Sequence, residues 1–190
     1  NVGVGVDTLL VNTEGTGNIA VGTYALKANT TADNNTAVGH NALAANITGY
    51  DMTCIGSDAG KTASTAVGCT FIGRSCGDAE TDGIFNTAMG SNAYGAGASA
   101  DYNTAMGYQA LDAATTSSSN VAIGFAALGA TQTAGVNVAI GQSAMGTANG
   151  STLCTTLGYA AGSGLTTGDN NLFLGYNTGT ASSPGDLFDD

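Results

Sequence analysis

The hydrophobic pattern of this chain recurs on a fixed step. Glycines that follow an aliphatic residue or Met, in runs such as NTAVG, NTAMG and NVAIG, fall at Gly5, Gly22, Gly39, Gly56, Gly73, Gly90, Gly107, Gly124, Gly141, Gly158 and Gly175. Each step is 17 residues, and eleven copies fill residues 1–187 without an insertion. A short constant period marks a solenoid, whose units each lack a core and must stack to bury one. If each unit is numbered from 1, the glycines stand at position 5. Position 4 is then Val, Ile, Met or Leu in every unit, position 3 is mostly Ala, and position 8 is Ala in eight units.

Charge placement selects strand over helix. Between positions 9 and 16, every charged residue sits at position 10, 12, 14 or 16: Lys27, Lys61, Asp78, Asp112, Glu80, Glu14, Asp82, Asp33, Asp101, Asp169 and Asp186. That period of two predicts a strand with one wet face. Positions 1–5 carry no charge in any complete unit and predict a second short strand, bent at the glycine. The expected fold is all-β, a parallel β-solenoid (β-roll) of eleven 17-residue coils. Two strands and two turns per coil, stacked at about 4.8 Å, would give a rod on the order of 50 Å long. Residues 1–187 form one repeat domain, and 188–190 begin a further coil or a C-terminal extension. Asn1 opens inside the pattern and GDLFDD does not look like an end cap, so a longer polypeptide is expected.

Position 1 is Asn at Asn1, Asn18, Asn35, Asn86, Asn103, Asn120, Asn137 and Asn171. These should form an amide ladder, each side chain bonding to the next. Met52, Cys69 and Cys154 interrupt it, and weaker local order is expected there. The first strand is apolar or neutral on both faces. One face fills the coil, and the other needs cover, for which self-association is the simplest source. The small Ala row suits close packing about an axis.

Composition then narrows the function. The 190 residues carry Lys27, Lys61 and Arg74 as their only Lys or Arg, against 14 acids, for a formal charge of −11. So few cations argue against nucleic acid and against anionic membrane surfaces as partners. No apolar run approaches the roughly 20 residues of a membrane helix, so membrane insertion is not expected. Cys54, Cys69, Cys76 and Cys154 form no Cys-x-x-Cys pair, and a zinc site is not expected. Cys54 and Cys69 lie one rung apart but offset, with Cα atoms roughly 8 Å apart, outside disulfide reach. Reduced, packed thiols are expected.

Candidate chemistry is sparse. CIGSDAGKT (54–62) looks like a phosphate loop, but only three residues separate Gly56 and Gly60 where such a loop has four, and both are repeat positions. Asp78, Glu80 and Asp82 are read as facing outward on one strand, about 6.6 Å apart per two-residue step. That approaches an inverting glycosidase pair. A convex solvated strand with Lys61 one rung below Asp78 favours a plain surface instead. Tyr108, Phe125, Tyr159 and Tyr176 occupy position 6 and should stack in adjacent pairs; they are candidate surface contacts for a receptor. His40 shares that position with no partner of catalytic type on its coil and is read as a turn residue. No catalytic residue, metal site or cofactor is expected.

The units NTAVGHNAL (35–43), NTAMGYQAL (103–111) and NVAIGFAAL (120–128) resemble the repeats of bacteriophage tail fibres, and also the head repeats of YadA-type trimeric autotransporter adhesins. The resemblance implies a left-handed, homotrimeric β-roll. The adhesin repeat is nearer 14 residues, which leans toward the fibre. The implied function is a rigid, non-enzymatic virion rod for host attachment. Its implied partners are itself, other tail or baseplate proteins, and a host cell-surface glycan or protein. The alternatives are an adhesin head on a bacterial outer surface and a polysaccharide depolymerase tailspike.

Overall fold

A computed structural model of the chain describes residues 1–130, 133 and 135–180. The expectations for Asp186 and residues 188–190 lie outside the described residues. Eleven three-residue strands form one parallel sheet in chain order: β1 (Val2–Val4), β2 (Ile19–Val21), β3 (Thr36–Val38), β4 (Thr53–Ile55), β5 (Thr70–Ile72), β6 (Thr87–Met89), β7 (Thr104–Met106), β8 (Val121–Ile123), β9 (Val138–Ile140), β10 (Thr155–Leu157) and β11 (Leu172–Leu174). Every pairing holds the same register, such as Val121 to Val138 and Ala122 to Ala139. The fold is a parallel β-solenoid with one coil per 17-residue unit, and no helix occurs among the described residues.

The glycine column is a stacking requirement. In the second to tenth coils, position-5 glycines have φ between 128° and 140°. A Cβ on any of these would meet the carbonyl of the next coil's position-5 glycine, as at Gly124, 2.5 Å from the Gly141 oxygen. Backbone passes so close there that only a residue without a side chain fits.

The second limb corrects the sequence reading. Positions 7–11 are turns, and no second strand forms among the described residues. Positions 7 and 9 both adopt left-handed backbone, even where they are not glycine: Asn41 has φ 56° and Leu43 φ 50°. Such residues cost of order 1–3 kcal/mol each and persist only when their surroundings impose them. Two things do so here. The position-9 side chain is buried, as at Leu26, Leu43, Leu111 and Leu128. Its N–H also donates to the coil above, as Leu43 does to Ala59 O at 3.0 Å. The limb is thus laced along the axis without strand geometry.

Beyond position 9 the burial runs with period three. Positions 12, 15 and the next position 1 point inward, while 14 and 17 point outward. Position 12 is therefore an inside position, contrary to the alternation inferred from charge. A further left-handed residue at position 17, such as Asn34 (φ 59°) or Tyr102 (φ 58°), turns the chain back into the strand.

The core is a column of small residues with a volume exchange. The Ala row at position 3 (Ala20, Ala37, Ala88, Ala105, Ala122, Ala139) fills the inside of the coil. It does not face a neighbouring chain, because strand alternation sends positions 2 and 4 outward instead. Where position 3 is large, position 9 is Gly. Phe71 and Phe173 lie over Gly77 and Gly179, where a Cβ would come within 2.7 Å and 2.4 Å of the rings. Cys54 and Thr156 likewise pair with Gly60 and Gly162, and in the six coils with Ala at position 3, position 9 is Leu, Met or Tyr. This keeps the cross-section filled at constant area, as close packing demands.

Candidate functional site

The position-1 column is continuous, by a different route from the one expected. Each Asn Oδ1 accepts from the backbone N–H of the next coil's position 1, as Asn18 does from Asn35 at 2.9 Å and Asn120 from Asn137 at 3.0 Å. Where position 15 is described, the amide group donates to its carbonyl in the same coil: Asn35 to Gly49, Asn103 to Ser117, Asn137 to Ser151. The ladder is side chain to backbone, with direct amide-to-amide bonds only at Asn103 to Asn86 (3.3 Å) and Asn120 to Asn103 (3.1 Å) among the described pairs. Asn86 takes part at 2.6 Å to Ala100 O, and Asn171 closes the column half-buried. Met52 and Cys69 do not break the column. Their sulfurs accept from Cys69 N–H and Asn86 N–H, each at 3.3 Å. Sulfur is a weak acceptor, so these rungs are the soft ones.

The acidic cluster is taken apart. Asp82 is exposed, but Glu80 is fully buried at position 12. Its Oε1 accepts from Thr81, Asp82 and Gly83 N–H at 2.8, 3.1 and 2.7 Å. Asn46 does the same capping job at its own position 12, accepting from Gly49 N–H at 3.0 Å. Beside Glu80 lie the buried Tyr94 ring, whose hydroxyl donates to Ala100 O at 2.8 Å, and Asn86 at 3.4 Å. Gly97 leaves the space that Tyr94 fills, since a Cβ there would be 2.4 Å from the ring. Burial pushes the Glu80 carboxyl above its usual range, against the pull of those N–H donors. Asp78, Glu80 and Asp82 are thus not an outward row. Lys61 also differs from expectation: it pairs within its own coil with Asp58, at 3.5 Å, rather than with Asp78.

The corner acids are structural. Asp33 Oδ1 accepts from Thr16 N–H and hydroxyl at 2.6 and 2.9 Å, and Asp169 does the same for Thr152 at 2.7 and 2.8 Å. Asp101 accepts from Ile84 N–H at 2.8 Å. Each carboxylate closes a backbone donor of the coil below. No group of three or more His, Cys, Asp or Glu placed to hold a metal occurs among the described residues.

All four cysteines are buried and free. Burial raises the Cys69 and Cys76 thiols to about 12, far from the reactive thiolate range. In the CIGSDAGKT segment, Gly60 makes room for Cys54 Sγ, 2.7 Å from where a Cβ would sit. No helix follows it, so the strand-to-helix geometry of a phosphate loop is absent from the segment.

Two surfaces remain. Tyr108 stacks on Phe125 with centroids 5.5 Å apart, and Tyr159 on Tyr176 at 5.1 Å, all exposed. Phe85 and Tyr102 form a third exposed stack at position 17, 5.9 Å apart, which the sequence reading missed. Their 17-residue spacing was the available signal. His40 meets Tyr24 edge-on at 6.0 Å.

The second surface is the outward side of the sheet. Positions 2 and 4 line it with Val, Ile, Thr, Met and Leu from β1 to β11, without a charge. Ile19 is 43% exposed, Met89 43% and Leu157 47%. No family model, curated protein or solved structure matches the chain. No helix among the described residues is long and apolar enough to cross a membrane.

Proposed function

We propose that this chain is the shaft or receptor-binding segment of a trimeric phage tail fibre, a rigid rod that holds a host-recognition surface at fixed reach. The observation that carries the proposal is the uncharged outward side of the sheet. Row 4 presents a stripe of aliphatic and Met side chains along eleven coils, and beside it row 2 is Thr in six coils and Val, Ile or Leu in the other five. A stripe of that length is far larger than the patches monomers expose, and it is flat and regular enough for an identical copy to cover. The number three rests on the likeness of the NTAVGHNAL-type units to tail-fibre repeats.

Rigidity supports the mechanical role. Strand, turn limb and corner are each bonded along the axis, and the position-5 glycines bring neighbouring coils into backbone contact. Three copies of a weak site on one rod would multiply affinity by about 10²–10⁴ through avidity. The net charge of −11 per chain suppresses premature adsorption to anionic cell surfaces.

The test is the mass of the purified chain in solution. Mass photometry should give about three times 18.4 kDa. Val121→Lys with Val138→Lys, two charges in the middle of row 2, should return the mass to one chain. A wild-type monomer would overturn the reading, and a dimer would overturn the number.

A further inference from the structure

The face formed by positions 7, 10 and 11 carries a groove that none of the repeat's structural duties explains. One part is a cavity of about 460 Å³ bounded by Arg74, Asp78, Asn92 and Asp112, with Gly95 in its floor. It adjoins a second of about 370 Å³ that shares Asp112 and continues past Gln109 and Ser143. Together they run along the rod from the fifth coil to the tenth. Gly95 creates the first cavity. A Cβ there would lie 2.3 Å from Asp112 Oδ1, so any side chain would fill the space between the two carboxylates. Asp78 and Asp112 face it from two rungs apart, about 9.6 Å along the axis.

The lining selects a ligand class. Burial holds both carboxyls above their ordinary range; Asp78 further raises Asp112, while Ser75 and the Gly95 N–H pull them back respectively. Neither carboxyl lies within ion-pair distance of a cation among the described residues, although Lys61 pulls Asp78 down from farther away. Hydroxyl donors would replace the water that each carboxyl has lost with hydrogen bonds to its oxygens. Arg74, exposed and in no ion pair among the described residues, offers a planar set of donors at the rim. Asn92 and Gln109 add amides. The groove's position-7 row is directly preceded in the chain by the exposed stacked rings of Tyr108 and Phe125. Carboxylate, amide and guanidinium groups beside flat aromatic faces match the alternating hydroxyl and C–H surfaces of pyranose rings. A polyanion is disfavoured, because no Lys or Arg follows Arg74 in the chain.

We propose that this groove binds an uncharged oligosaccharide, seated between Asp78 and Asp112 over Gly95 and extending along Gln109 and Ser143. The assignment rests on the receptor-binding reading above and gives it a site and a ligand class. It moves recognition from the aromatic rows alone to the groove beside them.

The test uses the full chain on an array of four- to six-unit oligosaccharides of glucose, galactose, mannose, rhamnose and N-acetylglucosamine, with uronic-acid and sialylated counterparts. Labelled protein is scored in parallel on a panel of bacterial cells. Binding to uncharged members is expected. It should fall at least tenfold in Asp78→Asn with Asp112→Asn, and in Gly95→Gln, while the melting temperature of the Asn variant stays within a few degrees of wild type. Binding confined to acidic glycans, or uncharged-glycan binding unchanged in both variants, overturns the groove. Cell binding without any uncharged-glycan binding overturns the groove and leaves the receptor reading standing. Binding to neither array nor cells overturns both.

Discussion

Replacing Gly124 by Ala tests the stacking principle most directly. The new Cβ would sit 2.5 Å from the Gly141 carbonyl oxygen, 2.6 Å from its carbon and 3.1 Å from Gln142 N. Ordinary contact requires the ninth coil to lift by roughly 1 Å. The bonds that cross there, Gly141 N–H to Ile123 O and Ser143 N–H to Phe125 O, are both 2.8 Å long and would pass beyond hydrogen-bonding range. Two lost bonds cost about 2 kcal/mol together. The residue's φ of 132° adds about 1–3 kcal/mol for a side chain held there. The total is about 3–5 kcal/mol, concentrated between the eighth and ninth coils. Gly150→Ala is the control. Its Cβ meets nothing nearer than Thr167 Cγ2 at 3.9 Å, and its φ is outside the left-handed range. It should lie within about 1 kcal/mol of wild type, in either direction. Because a stacked array need not unfold in one step, amide hydrogen exchange resolved by coil is the appropriate assay. Equal protection in the two variants would refute the claim that backbone proximity dictates the column.

Three further outcomes follow from the buried and corner groups. The Glu80 carboxyl is raised by burial, so its contribution to stability is fullest below the ordinary Glu range and is lost as pH rises through its folded value. Glu80→Gln should therefore flatten the fall in melting temperature between pH 4 and 8, and an unchanged slope would contradict the buried placement. Asp33 and Asp169 are lowered, by Thr16 and Thr152 respectively, so what they contribute is present above the ordinary Asp range and disappears as pH falls through their folded values. Carboxyl NMR titration should place both below the ordinary Asp range. Cys69→Asn restores an amide to the position-1 column, with Asn86 N–H as its donor and Gly83 O as its acceptor. It should slow exchange at Asn86 and stabilise by about 1 kcal/mol; faster exchange would show that sulfur already serves as well.

The sequence alone determined whatever depends on register. A strict 17-residue step places like residues on like, so the solenoid, the parallel strand at positions 2–4, the glycine column and the stacking of Tyr108 on Phe125 were all legible. The exchange of Phe71 against Gly77 and of Phe173 against Gly179 was not read from the sequence, although its signal, large at position 3 against glycine at position 9, was there. What only the tertiary structure decided is the direction of each side chain outside the strand. The alternation read from Asp78, Glu80 and Asp82 assumed extended backbone. Leu26, Leu43 and Leu111 instead adopt a left-handed conformation that their residue type disfavours, because burial and a bond to the next coil impose it. That turn changes the period from two to three and carries Glu80 inside. Asp78, Gly95 and Asp112 are successive position-10 residues, so their alignment follows from the register, but that the turn limb leaves an open groove around them was decided by the path of the backbone.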